Sequence, residues 1–145
     1  MTEPTDPAAL FATALIVSAS EGHAKVDRDF LKRARIFSVR HVTSGADALA
    51  ALRRHGPSLV LCDDKLSDMD GRDLITALRA DAALAATPVI LTAAGGTKAD
   101  VLSAVKLGVA GFMLRPYARA TFQRHVSMAA HMARFAAAER AALAR

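Results

Sequence analysis

Residues 57–63 read PSLVLCD, a short apolar run that starts after a proline and ends on an acid. Four more short runs of the same kind are spread along the chain, at residues 12–17, 36–42, 88–91 and 111–114. Apolar runs of this length are typical of strands that are buried on both faces of a parallel sheet. The run at 36–42 alternates polar and apolar residues, so we expect it at the edge of the sheet.

The segments between these runs have apolar residues at helical spacing. Four such stripes are Val26, Phe30, Leu31 and Ala34; Ala48, Leu49 and Leu52; Leu74, Ile75 and Leu78; and Val101, Ala104, Val105 and Gly108. Thr97 and Asp100 predict a capping box at the start of the fourth helix. The last segment, residues 118–145, has no Gly or Pro and predicts one extended helix of about 40 Å.

Strands and helices that alternate in this way predict an α/β domain with a doubly wound parallel sheet and helices on both faces. We expect a flexible N-terminal tail at residues 1–10, a domain over 11–128 and a C-terminal helical extension over 129–145. In such folds a site lies beyond the carboxyl ends of the strands.

The composition excludes several classes of protein. The chain has 145 residues, 52% of them apolar and 23% charged, which is a globular balance. A single Cys excludes a disulfide framework and a zinc site built on cysteines, and it predicts a cytoplasmic location. No apolar run approaches the roughly 18 residues that cross a bilayer, so we expect no membrane contact. The net charge of +5 favours acidic partners but is too small to indicate a nucleic-acid-binding protein.

Three chemically useful side chains follow three of the predicted strands. Asp63, Thr92 and Arg115 each come directly after an apolar run, and we expect them to meet at one rim of the sheet. A carboxylate at such a rim can act as a nucleophile toward a phosphoryl group. A guanidinium can pair with that carboxylate or with a phosphate.

These segments resemble a response-regulator receiver domain, from about residue 12 to about residue 126. The run at 57–63, followed by DMDG at 68–71, is similar to the segment around the family's phosphoacceptor aspartate. PVILTA at 88–93 resembles its fourth strand, and GVAGFMLRPY at 108–117 resembles its fifth.

The resemblance implies a five-stranded sheet of flavodoxin-like order 2-1-3-4-5. It implies that Asp63 is the phosphoacceptor and that Thr92 and Phe112 are switch residues. Arg115 stands where the family has Lys, and we expect it to pair with the phosphate or with the acceptor carboxylate.

The sequence departs from the family at the acidic pair that holds Mg²⁺. After the first strand, Ser18 and Ala19 occupy the two positions where the family has acids. Mg²⁺ prefers carboxylate oxygens, and only Asp63 remains as a candidate ligand. We therefore expect no resident cofactor, Mg²⁺ binding that is weakened or lost, and phosphorylation at Asp63 that is weak or absent.

The resemblance implies a non-enzymatic module of two-component, phosphorelay signalling, and we expect it to act through protein–protein contacts in the cytoplasm. Its expected partner is a sensor histidine kinase or another signalling protein, and its C-terminal helix is a candidate surface for homodimers. We do not expect nucleic acid as a partner, because acidic residues are interspersed throughout the chain.

Two other functions stay open. A flavodoxin-like protein could hold a phosphate or flavin cofactor in the loop over residues 18–22, and a basic module could bind nucleic acid through its Arg-rich last helix. The five histidines, at positions 23, 41, 55, 125 and 131, have no metal-ligand spacing, and we expect them to be solvated.

Overall fold

Five strands and five helices alternate along the part of the chain described by the computed structural model, residues 11–56 and 58–144. The strands are β1 (Thr13–Val17), β2 (Ser38–Val42), β3 (Leu59–Asp63), β4 (Val89–Ala93) and β5 (Gly111–Leu114). The helices are α1 (Glu21–Arg33), α2 (Gly45–His55), α3 (Gly71–Ala80), α4 (Lys98–Lys106) and α5 (Arg119–Leu143). The predicted tail at residues 1–10 lies outside the described residues.

The strands form one parallel sheet in the order β2-β1-β3-β4-β5. This order confirms the predicted fold, with β2 at an edge as its alternating sequence indicated. Every residue of β3 and β4 is buried, which explains why their sequences are continuously apolar until the final polar residues.

Side chains that alternate along the strands build two separate cores. Ala14 and Ile16 of β1 face a cluster that also contains buried residues of α1 and α5. Leu15 and Val17 of the same strand face a second cluster that contains residues of α2, α3 and α4. Two helices therefore cover one face of the sheet and three cover the other.

Polar caps start several helices just beyond the carboxyl ends of the strands. The Ser20 side chain accepts a hydrogen bond from the backbone N–H of His23 at the start of α1. The Ser44 side chain accepts one from the backbone N–H of Asp47 at the start of α2. The capping box predicted at Thr97 and Asp100 is confirmed at the start of α4.

Two of the predicted apolar stripes are wrong in detail. Val26 is 44% exposed, and the core-facing position beside it on α1 is taken by Asp27, which is 1% exposed. Val105 on α4 is 60% exposed, and Ala104 is the residue of that stripe that is buried. Side-chain spacing locates a face of a helix, but the neighbouring elements decide which of two adjacent faces is covered.

Helix α5 extends over 25 residues, which confirms the predicted long C-terminal helix. Its first half packs on the sheet through Phe122 and Val126, which are fully buried. Its second half exposes Phe135 and Leu143. The predicted domain boundary between residues 128 and 129 falls inside this helix. None of the described helices has the length and hydropathy needed to cross a membrane.

Candidate functional site

Asp63 lies at the carboxyl edge of the sheet, where four strands deliver polar side chains to one place. It is the last residue of β3 and pairs in register with Thr92 of β4. Ser18 directly follows β1, and Arg115 directly follows β5, where its backbone donates to the carbonyl of Ala93 at 2.8 Å. The parallel arrangement thus brings residues that are far apart in sequence to a single rim.

Each of the two carboxylate oxygens of Asp63 has two hydrogen-bond partners. Oδ1 accepts from the Thr92 hydroxyl at 2.6 Å and from Nη2 of Arg115 at 2.8 Å. Oδ2 accepts from the Ser18 hydroxyl at 2.6 Å and lies 3.0 Å from Nδ1 of His23. Asp63 is only 7% exposed, so these contacts replace most of the water that would solvate it.

These donors keep the Asp63 carboxyl ionised. Burial by itself raises the pKa of a carboxyl group, but the hydrogen bonds from the surrounding donors outweigh that effect and hold the pKa of Asp63 below its ordinary value. An ionised carboxylate only accepts hydrogen bonds, so Nδ1 of His23 carries the hydrogen in this contact.

A second buried carboxylate binds Arg115 from the other side. Asp27 of α1 accepts from Nη1 of Arg115 at 3.1 Å and from Nη2 at 2.7 Å. The Tyr117 hydroxyl also donates to Asp27. Burial raises the pKa of Tyr117, and the neighbouring Asp27 carboxylate raises it further, so the phenol stays protonated as a donor. One guanidinium therefore bridges two acids.

Ala19 and Phe112 lie apart from this network. Ala19 is exposed at the start of the loop after β1. Phe112 of β5 is partly buried against the core beneath α2, α3 and α4. It lines a cavity of about 180 Å³ together with Asp64, Lys65, Arg72 and Asp100, among others. The proposed switch aromatic thus borders a different space from that occupied by Arg115.

Acidic side chains in and after the loop that follows β3 accept hydrogen bonds from backbone N–H groups at the starts of α2 and α3. Asp68 accepts from the backbone N–H groups of Gly45 and Ala46, at 2.7 and 3.1 Å, and so caps α2. At the start of α3, the Asp73 carboxylate accepts from the backbone N–H of Asp70 at 3.1 Å. These carboxylates are engaged with helix termini.

Sequence reasoning missed Asp27, His23 and Tyr117. The histidines were expected to be solvated, and the His23 side chain is 45% exposed although it contacts Asp63. Nε2 of His41 lies 2.9 Å from the Ser18 carbonyl oxygen, and Nδ1 of His125 lies 2.8 Å from that of Thr121, so these histidines also make protein contacts that the sequence did not predict. Tyr117 carried a signal, since it follows Arg115 by two residues. Asp27 carried no such signal, because an Asp within a charged amphipathic helix normally faces water.

Comparison with known proteins gives a consistent result. Residues 14–127 match the family model described as the response regulator receiver domain. The chain is 28% identical over 104 residues to the chemotaxis protein CheY1 of Helicobacter pylori, which covers 71% of this chain and 84% of that protein.

Two solved structures share the fold over most of their lengths. The signal receiver domain of a Vibrio parahaemolyticus protein is 25% identical, with a TM-score of 0.77 that covers 87% of this chain and 95% of the other. The signal receiver domain of a signal transduction histidine kinase from Syntrophus aciditrophicus is 26% identical, with a TM-score of 0.72 and coverage of 82% and 89%. Together with the aspartate at the end of β3, these matches establish that the chain belongs to the response regulator receiver domain family.

Proposed function

We propose that this receiver domain of two-component signalling works through protein contacts, and that Mg²⁺-dependent phosphorylation of Asp63 is weak or absent. Asp63 occupies the position of the phosphoacceptor, and Thr92 and Phe112 occupy those of the switch residues. The observation that carries the proposal is the set of groups around Asp63, which are hydrogen-bond donors where a metal site needs acceptors.

The residues at this site do not fit a magnesium ion. Receiver domains bind Mg²⁺ in an acidic pocket, and Mg²⁺ requires several oxygen ligands in near-octahedral geometry. Here Ser18 and Ala19 supply no carboxylate, and the second acid nearby, Asp27, is already paired with Arg115. Among the described residues, no group of three or more His, Cys, Asp and Glu side chains is placed to hold a metal.

The same donors oppose the chemistry of phosphorylation. In that reaction a carboxylate oxygen of Asp63 would attack phosphorus while the donor's leaving group departs with its bonding electrons. Both oxygens of Asp63 accept hydrogen bonds, and an attacking oxygen would have to give these bonds up. A metal ion normally neutralises the charge that moves during phosphoryl transfer and orients the groups. Arg115 supplies one positive charge but is fixed between two acids.

Treatment of the purified chain with acetyl phosphate and MgCl₂, followed by intact-mass spectrometry, tests the proposal. We expect the unmodified mass to persist under conditions that fully phosphorylate a receiver domain with both acids of the pair. The Asp63→Asn variant is the matched control, because any phosphorylation that it retains occurs elsewhere. Prompt, stoichiometric addition of one phosphoryl group that Asp63→Asn abolishes would overturn the proposal.

Partners follow from the family and from the exposed surface. Receiver domains interact with histidine kinases and other signalling proteins, and we propose a partner of this kind here, in the cytoplasm. Exposed apolar side chains on α5, at Met128, Met132, Phe135 and Leu143, support a protein contact there, with a second copy of the chain as the candidate partner. Light scattering of the full chain across a concentration series tests for the homodimer.

The receiver family is favoured over the two alternatives from the sequence. The first Ser-rich loop, where a flavodoxin-like protein would bind phosphate, uses Ser18 to bind Asp63 and Ser20 to cap α1. We propose no nucleic-acid function for α5, whose first half is committed to the core.

A further inference from the structure

Asp27 is a buried acid in a place where burial is costly. It lies on α1 and is 1% exposed, while Asp29, two residues along the same helix, is exposed. An isolated ionised carboxylate in such a place would lose most of its solvation by water, so it needs a partner of opposite charge. Arg115, whose side chain is 9% exposed, is that partner.

The contacts divide Arg115 unequally between its two acids. Asp27 accepts two hydrogen bonds from Nη1 and Nη2, in the bidentate geometry that fixes a guanidinium plane. Asp63 accepts one, from Nη2 at 2.8 Å. The same Nη2 also lies 3.3 Å from the Thr92 hydroxyl oxygen. The orientation of Arg115 is thus set by Asp27, and its contact with Asp63 follows from that orientation.

Aromatic packing reinforces the geometry from the side of α1. The Tyr117 hydroxyl donates to Asp27, and the Tyr117 ring lies 5.3 Å from the carbon at the centre of the Arg115 guanidinium. The ring also packs against Phe30 and Phe122, with centroids 5.2 and 5.9 Å away. The acid, the cation and the phenol form one connected unit between α1 and the segment after β5.

We propose that Asp27 is the positioning residue of this site: it holds the Arg115 guanidinium against Asp63 and Thr92 as a built-in counter-cation where the family uses a metal ion. This inference rests on the proposed function, because it names the residue that holds a cation beside Asp63 in place of Mg²⁺. Asp27 and Asp63 carry two negative charges and Arg115 one positive charge, so the unit keeps one net negative charge. The hydroxyls of Ser18 and Thr92, together with His23, stabilise that charge.

A fixed cation has a consequence for the switch position. Thr92 already donates to Asp63 at 2.6 Å, and Arg115 lies against both residues. While Asp27 holds Arg115, the end of β4 occupies one conformation without phosphoryl group or metal. Releasing Arg115 is therefore expected to allow motion at Thr92 and in the following loop.

Nuclear magnetic resonance of the labelled full chain, with neither Mg²⁺ nor a phosphoryl donor, tests this role. In the native protein we expect separate Nη signals for Arg115, because bidentate binding slows rotation about the Nε–Cζ bond. We also expect flat relaxation dispersion at the Thr92 amide. In Asp27→Asn the two Nη signals should merge into one, and exchange broadening should appear at Thr92.

Two variants separate positioning from general effects. Asp29→Asn removes the same charge from the exposed face of the same helix and should leave both signals and the flat dispersion unchanged. Arg115→Lys replaces the guanidinium that binds both Asp27 and Asp63 with a single ammonium group, and we expect it to produce exchange at Thr92. This variant keeps the inference testable if Asp27→Asn fails to fold.

Resolved Nη signals and flat dispersion in a folded Asp27→Asn protein would overturn the inference, as would flat dispersion in Arg115→Lys. Phosphorylation of the native chain by acetyl phosphate would instead overturn the proposed function. The two experiments measure different properties, side-chain and backbone motion in one and covalent phosphorylation in the other. A failure of the positioning role can therefore be distinguished from a failure of the proposed function.

Discussion

Ser18 is the residue through which the site most directly differs from a metal-binding pocket. Its hydroxyl donates to Asp63 at 2.6 Å from a fully buried position, where an acid would repel that carboxylate. A buried hydrogen bond to a charged group contributes about 1.5–3 kcal/mol. We propose that Ser18 takes the place of a metal-binding acid and has the opposite effect on Asp63.

We predict that Ser18→Ala raises the pKa of Asp63 and lowers the free energy of unfolding at neutral pH by about 1–3 kcal/mol. The folded-state pKa of Asp63 is depressed, so its ionisation stabilises the fold above the unfolded-state pKa, and this stability is lost as pH falls through the folded-state pKa. The variant should lose part of that contribution. Carboxyl ¹³C titration and urea unfolding at neutral and acidic pH measure both effects. An unchanged pKa would contradict the assigned hydrogen bond.

Gly71 allows the chain to pass close to the end of β3. A Cβ atom added there would collide with the backbone carbonyl oxygen of Asp63 and would lie 3.0 Å from Cδ1 of Leu91. Neither group can move without disturbing the core or the site. The glycine in the motif at 68–71 is thus required by space.

We predict that Gly71→Ala destabilises the fold by about 1–3 kcal/mol, measured by urea unfolding. Gly95 is the matched control, because a Cβ added there meets no atom within 4 Å and its backbone is not in the left-handed region. Gly95→Ala should be neutral or slightly stabilising. Equal effects of the two substitutions would show that space at Gly71 is not limiting.

At the scale of an element, α5 has two halves with different surroundings. Its fully buried residues, Phe122, Val126, Ala129 and Ala130, all lie in the first half. Beyond residue 134 the side chains that the structure describes are exposed, including Phe135 at 68% and Leu143 at 85%. Packing on the sheet therefore ends well before the helix does.

We predict that deleting residues 135–145 changes the free energy of unfolding by less than about 1 kcal/mol, because exposed residues contribute little. If the proposed homodimer forms through α5, the same deletion should convert it to a monomer in light scattering. Phe135→Glu in the full chain is the companion variant, since it alters the exposed surface without shortening the helix. A large loss of stability on deletion would show that the second half packs on the domain.

At the scale of the whole molecule, sequence alone predicted what depends on continuous local patterns. Every strand except the alternating edge strand β2 is a short apolar run, and Asp63, Thr92 and Arg115 each end or follow such a run. Parallel pairing was therefore enough to place these three residues on one rim. The burial of Asp27 could not be predicted in this way, because an Asp within a charged amphipathic helix normally faces water. Only the structure reveals that this Asp is buried and that the Arg115 side chain, which follows β5, binds it.

The arrangement of charges in the whole pocket also predicts how the protein responds when acids are introduced at positions 18 and 19. In Ser18→Asp/Ala19→Asp, one new carboxylate would replace a hydrogen-bond donor of Asp63, and the second would stand at the exposed neighbouring position. Without metal this crowding of negative charge should destabilise the fold, and Mg²⁺ should recover stability by binding the native state. We therefore expect the melting temperature of the variant to rise with MgCl₂ and fall with EDTA, while the native chain responds to neither. Ser18→Asn/Ala19→Asn has the same size without the charge and should be insensitive to Mg²⁺. A melting temperature of the native chain that rises with millimolar MgCl₂ would contradict the metal-independent charge balance on which this expectation depends.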